Sequence, residues 1–238
     1  MLKIKWSGYE WITQERWGNI HLEKSEQWYD PSCVEIDELG YLHLKTKYNP
    51  KYFEEHNLTS NVGIGLVSCT EEFHFGSFEV EAKLPRGKNL WPAFWMWSWY
   101  DWPPEIDIFE GYSDVFANYF HFNIFKPKNI WKVETNIHYK IDGVKGDCGG
   151  KTHYFGFKDP TKNFIKYRAD WTKDRVAFYY DDRLVRIIED PEILKDFNNT
   201  KMNVIINNAV TKKVDIKNPP NSDFIIKTFK YKGQVAEW

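Results

Sequence analysis

Cysteine is scarce in this chain: Cys33, Cys69 and Cys148 are the only three in 238 residues, and none are close together. An odd, scattered set allows at most one disulfide. It excludes a disulfide framework and a cysteine-ligated zinc site. The histidines show no metal-ligand spacing either. Long hydrophobic runs are missing, and no segment approaches the roughly 20 apolar residues of a membrane-spanning helix. No membrane partner is therefore expected. The start, Met1-Leu2-Lys3-Ile4-Lys5-Trp6-Ser7, lacks the apolar core of a secretion signal. The expectation is a protein made without a signal, or one from which it has been removed. Charge of either sign is not in excess: the net value is −2, which gives no field to hold nucleic acid. Gly63-Ile64-Gly65 lacks the third glycine and the following helix of a nucleotide-binding turn. Helix signals are few. The best is Asp190–Phe197, where Asp190 suits an N-cap and Pro191 the first helical position.

Period-two alternation is plentiful. Phe78-Glu79-Val80-Glu81-Ala82-Lys83-Leu84 alternates strictly. Ile165, Tyr167, Ala169 and Trp171 share one face of a strand, and Val176, Phe178 and Tyr180 share one face of the next. Gly40–Leu44, Met202–Asn208 and Asp223–Tyr231 read as further strands, and Lys140–Gly156 as a surface loop rich in glycine and aspartate. No repeat or linker divides the chain. The expected fold class is all-β, a sandwich of two antiparallel sheets forming a single domain over residues 1–238.

The sharpest feature is Glu105-Ile106-Asp107-Ile108-Phe109-Glu110. A strand that buries Ile106, Ile108 and Phe109 turns three carboxylates to the other face, close together and partly dry. Like charges so held shift one another's pKa and add nothing to stability, so they are candidates for chemistry. Glycoside hydrolysis uses two carboxyl groups, one as nucleophile or base and one to protonate the departing oxygen. Side chains alternate along a strand, so Glu105 and Asp107 share a face and Glu110 points away. A β-bulge at about Ile108-Phe109 returns Glu110 to that face, and we predict it. The α-carbons of Glu105 and Glu110 would still lie roughly 13 Å apart. Their carboxyls can converge only on a concave sheet, so a cleft is predicted.

Two simpler readings compete. One is a solvated acidic strand, which leaves unexplained why Trp91, Trp95, Trp97, Trp99 and Trp102 crowd the approach to it. The other is a calcium site, although the run lacks the looped, glycine-containing geometry usual for that ion. The chain has 12 tryptophans, more than a core needs, and exposed indole faces can stack on sugar rings. Trp91, Trp97 and Arg86 are candidates to line the cleft. Trp95 is assigned to the core.

In these residues the chain resembles glycoside hydrolase family 16, the group of laminarinases, lichenases, agarases and carrageenases. Glu105–Glu110 is similar to the bulged form of its active-site signature. Phe75–Pro85 resembles the strand preceding it, and Trp91-Pro92-Ala93-Phe94-Trp95-Met96 the segment leading into it. Ala169–Thr172, Phe178–Asp182 and Asn207–Val210 resemble later strands. Pro104 stands where many members have glycine, and Asp181-Asp182 replaces the commoner Asp-Gly turn.

The resemblance implies a concanavalin-like β-jelly roll with a concave substrate cleft and a retaining endo-hydrolase. Glu105 matches the nucleophile, Glu110 the acid/base and Asp107 the auxiliary acid, which we expect to share a proton with Glu105. Trp102 matches a tryptophan that stacks near the scissile sugar. His121 resembles a histidine often found beside the site, and Asn123, two residues on, shares its face. The expected substrate is a polysaccharide, a β-1,3- or mixed-linkage glucan, met outside the cell or at its surface by a monomer. No cofactor is required. A structural calcium is common among relatives, but no ligand set here can be named. Alternatives are an endo-β-galactanase on the same scaffold, a transglycosylase, and a sugar-binding sandwich without catalysis.

Overall fold

The structure is a computed structural model, and it describes residues 1–21, 26–113, 132–156, 158–211 and 222–233. Among these, two nine-stranded sheets pack face to face. The first runs β1 (Lys3–Trp6), β2 (Tyr9–Ile12), β7 (Leu66–Phe73), β17 (Met202–Val210), β9 (Leu90–Trp97), β10 (Glu105–Glu110), β11 (Lys132–Ile141) and β12 (Val144–Asp147), with β13 (Lys151–Tyr154) also on β11. The second runs β16 (Arg183–Ile188), β15 (Val176–Tyr180), β14 (Ile165–Trp171), β8 (Gly76–Lys83), β18 (Ser222–Lys232), β5 (Leu42–Phe53), β6 (Leu58–Ile64) and β3 (Gln27–Tyr29), with β4 (Val34–Ile36) also on β5. Pairing is antiparallel except between β3 and β6. This is the expected all-β jelly-roll sandwich. Among the described residues one α-helix, α1 (Pro191–Phe197), follows Asp190, whose side chain caps the amide of Glu192.

The alternating faces meet in the core. Phe78, Val80 and Ala82 of β8 lie against Ile165, Tyr167, Ala169 and Trp171 of β14, all fully buried. Each large side chain buried here contributes about 1.5–3 kcal/mol. The polar face of β14 is held by charge: Arg168 meets Asp170 at 3.2 Å and Asp182 at 3.0 Å. That second contact belongs to an unusual turn. Asp181 and Asp182 both adopt left-handed backbone, φ 47° and 63°, the geometry of a primed hairpin turn that favours glycine in its second place. Ion pairs from Lys166 and Arg168 to Asp182 accompany it. The expected loop over Lys140–Gly156 is corrected: it contains the β11–β12 hairpin and β13, because the Asp142-Gly143 turn carries positive φ at both positions and folds the chain back on itself. Cys33, Cys69 and Cys148 are free thiols.

The predicted bulge is present. The register of β10 slips between Asp107 and Phe109 against β9, and between Asp107 and Glu110 against β11. Ile106, Ile108 and Phe109 all enter the core, so two consecutive residues point inward at the slip. A bulge interrupts the hydrogen-bond ladder, and a buried carbonyl needs a partner. The hydroxyl of Tyr180, reaching across the sandwich from β15, donates to the carbonyl of Ile108 at 3.0 Å.

Candidate active site

The outer face of β9 and β10 forms the floor of a cleft of about 610 Å³. Cross-strand register sets its order: Glu105 opposes Trp97, Asp107 opposes Trp95 and Glu110 opposes Ala93. Glu105, Asp107 and Glu110 all line this one space. On the far side, β11 places His138 opposite Glu105 and Asn136 opposite Asp107, and both face the cleft.

Each acid has a distinct setting. The indole N–H of Trp102 donates to Glu105 Oε2 at 2.9 Å. Burial and the adjoining Asp107 push the pKa of Glu105 upward, against that hydrogen bond. Asp107 is 4 % exposed. Its charge is, after burial, the largest cause of the raised pKa of Glu105. His138 Nε2 lies 3.4 Å from Asp107 Oδ2 and 3.6 Å from Glu105 Oε1. Burial alone would lower the pKa of His138, but the hydrogen bond and charge of Asp107 outweigh it and leave it raised. Glu110 Oε1 accepts from the Trp91 indole at 2.9 Å and from the Tyr112 hydroxyl at 2.7 Å. Burial, then the charge of Asp107, raise the pKa of Glu110 to about 7 despite those two donors.

Glu105, Asp107 and His138 bring one ligand atom each within 4.8 Å of one another, a spacing that could hold a metal ion. In the same grouping the His138 imidazole contacts both carboxylates.

The profile of Glycosyl hydrolases family 16 matches residues 34–222. The chain belongs to this family. A β-1,3-glucan-binding protein of Penaeus monodon is 34% identical over 140 residues, 52% of this chain and 34% of that protein. A β-glucanase of Rhodothermus marinus is 28% identical over 181 residues, 71% of this chain and 54% of that protein. The chain thus spans between a third and about half of these relatives. Among solved structures, the laminarinase catalytic domain of Thermotoga maritima superposes with a TM-score of 0.68 at 20% identity, over 88% of this chain and 84% of that one.

As a family 16 member the chain places its other candidate residues unevenly. Trp91, Trp97 and Trp102 line the cleft. Trp95 is corrected from core to cleft: it is half-buried on the same face, with its N–H on Asn207 Oδ1 at 2.7 Å. The parity shared by Trp91, Ala93, Trp95 and Trp97 is that of the cleft, while Leu90, Phe94 and Met96 take the core side. Arg86 is exposed on the turn before β9, and the structure does not bring it to the described lining of the cleft. His121 and Asn123 lie outside the described residues. Sequence reasoning missed Asn136, His138, Tyr112 and Asn207. Asn136 and His138, two apart on one strand face, form the same kind of pair as His121 and Asn123. The register of β11 against β10 is what brings Asn136 and His138 beside the acids.

Proposed function

We propose that this chain is a retaining endo-β-glycanase, acting on a neutral β-1,3- or mixed-linkage glucan. The observation that carries the reading is the bulge, which turns Glu105 and Glu110 to one cleft; burial and the charge of Asp107, which raise the pKa of Glu110 to about 7, support it as the proton donor. Glu105 attacks the anomeric carbon as the bond to the departing oxygen breaks, and Glu110 gives that oxygen its proton. Attack requires that a proton shared by Glu105 and Asp107 rest away from the attacking oxygen. Asp107 and His138 are the groups in reach to hold it. In the second step water attacks the glycosyl ester, its proton passes to Glu110, and Glu105 leaves as carboxylate. Loss of the Glu105 charge in the ester lowers the proton affinity of Glu110, while its return as carboxylate raises it again.

Family membership and the relatives' names support a glucan, as do tryptophan faces that suit the apolar faces of sugar rings. No cofactor enters these steps. The polymer is met outside the cell, and no described helix is long and apolar enough to cross a membrane. The test is incubation with laminarin, lichenan, agarose, porphyran, carrageenan and keratan sulfate, with products sized. Short oligomers from laminarin or lichenan are expected. Cleavage of a galactan alone reassigns the substrate, and no reducing sugar from any polymer leaves a binding sandwich. Glu105→Ala should be inactive, and azide should rescue it with inverted configuration. Rescue with retained configuration removes Glu105 from the role.

A further inference from the structure

We propose that Tyr112 is a positioning residue for Glu110: together with Trp91 it occupies Oε1, which reserves Oε2 for the proton exchanged with the glycosidic oxygen. The inference rests on the reading of Glu110 as acid/base and adds to it which oxygen works and what holds it there.

The placement begins in the backbone. Beyond β10 the chain stays alongside the start of β9: Gly111 N–H donates to Pro92 O at 2.8 Å, and Ser113 N–H to Leu90 O at 3.0 Å. The Ser113 hydroxyl also accepts from the amide of Leu90 at 2.7 Å. Contacts on both sides of Tyr112 and of Trp91 bring the two rings together. They stack at 5.3 Å between centroids and 25° between planes. In that arrangement both donors reach the same atom, Glu110 Oε1. Oε2 accepts no hydrogen bond among the described residues.

This asymmetry suits both steps. When Glu110 is protonated, Oε1 is its carbonyl oxygen and accepts from both rings, while the proton stands on Oε2. When it is ionised, the same two hydrogen bonds persist and strengthen. No rotation of the carboxyl group is needed between giving the proton and taking one from water. The other charged or titratable groups around Glu110 are Asp107 and Glu105 on its own strand, His138 and the register partner Glu134 on β11, and the buried Tyr180 hydroxyl on β15, which feels the charge of Glu110. Of these only His138 favours the ionised form. Tyr112 and Trp91 are the opposing donors. The stacked pair lines the cleft and is not buried away from it.

The experiment is a titration of the Glu110 carboxyl carbon by NMR in the native protein and in Tyr112→Phe, alongside the pH profile of kcat/KM. A hydrogen bond to a charged group is worth enough that its loss should move the Glu110 titration upward by about one pH unit. The alkaline limb of kcat/KM should follow, with kcat down about tenfold and KM within about twofold. In a Glu110→Gln background, Tyr112→Phe should change nothing further toward an aryl glycoside whose leaving group needs no proton. If Tyr112→Phe does not fold, 3-fluorotyrosine at position 112, a stronger donor of the same shape, should move the titration downward. An unmoved titration with either replacement overturns the proposal while leaving the acid/base reading intact. Full hydrolysis of laminarin by Glu110→Gln overturns both.

Discussion

Glu110 and Glu15 are both carboxyl groups held well above their ordinary range by burial, yet their surroundings differ. Glu110 faces a cleft and two donors. Glu15 is fully buried, and its two oxygens have no hydrogen-bond partner among the described residues. Burial pushes its pKa up to about 8, with Arg16 only partly opposing. An acid whose folded pKa is raised contributes stability at pH below its unfolded value near 4.5, and that contribution is lost as pH climbs toward the folded value. The folded state then holds a proton that the unfolded state has released. Glu15→Gln cannot titrate. Its stability relative to the native protein should therefore rise by about 1.4 kcal/mol per pH unit between about pH 4.5 and 8. Urea unfolding at a series of pH values measures this, and a constant difference refutes it.

At the scale of elements, strands are tied by polar side chains at points the hydrophobic pattern does not mark. His43 on β5 reaches Asp223 on β18 at 2.8 Å and Asp37, in the turn before β5, at 3.2 Å. Burial alone would lower its pKa, but its hydrogen bonds to the two carboxylates raise it above 6.5. The stabilisation is full below the unfolded pKa and fades as pH rises through the folded one. Comparing His43→Gln with native protein by thermal unfolding should show a deficit of roughly 2 °C near pH 5.5, allowing for partial exposure, that closes as pH rises through the raised folded pKa. A deficit independent of pH would assign the loss to packing. The bulge belongs to this scale as well. Its need was legible from the spacing of Asp107 and Glu110, but its hydroxyl support from Tyr180 was not, since those residues are 72 apart in sequence.

Across the whole molecule, the cleft is assembled from distant parts of the chain. Trp17, from the N-terminal segment, meets Trp97 of β9 edge to face at 5.3 Å and lines the same space as the acids. Its N–H is held by the carbonyl of Ile20 at 2.9 Å, which fixes the ring without help from a ligand. An aromatic contact of this kind is worth about 0.5–1.5 kcal/mol. If the ring contributes a similar amount against a sugar, Trp17→Ala should raise KM on laminarin about two- to twelvefold with kcat within about twofold. Steady-state kinetics test this, and a fall in kcat at constant KM would place the ring's effect in the chemical step.

Sequence alone determined the sandwich, through alternation that has no other way to bury its apolar face, and the identity of the three acids, through their position in an otherwise core-bound strand. It also required a kink between the second and third acids, because strand parity cannot otherwise bring them together. Tertiary structure decided which tryptophan face is core and which is cleft, since parity names two faces without saying which one meets the opposite sheet. It also decided that His138 stands beside Glu105 and Asp107, because register between strands separated by a long connection is set by packing and not by spacing along the chain. The convergence of Trp91 and Tyr112 on one oxygen of Glu110 has the same origin: it depends on hydrogen bonds between two segments about twenty residues apart.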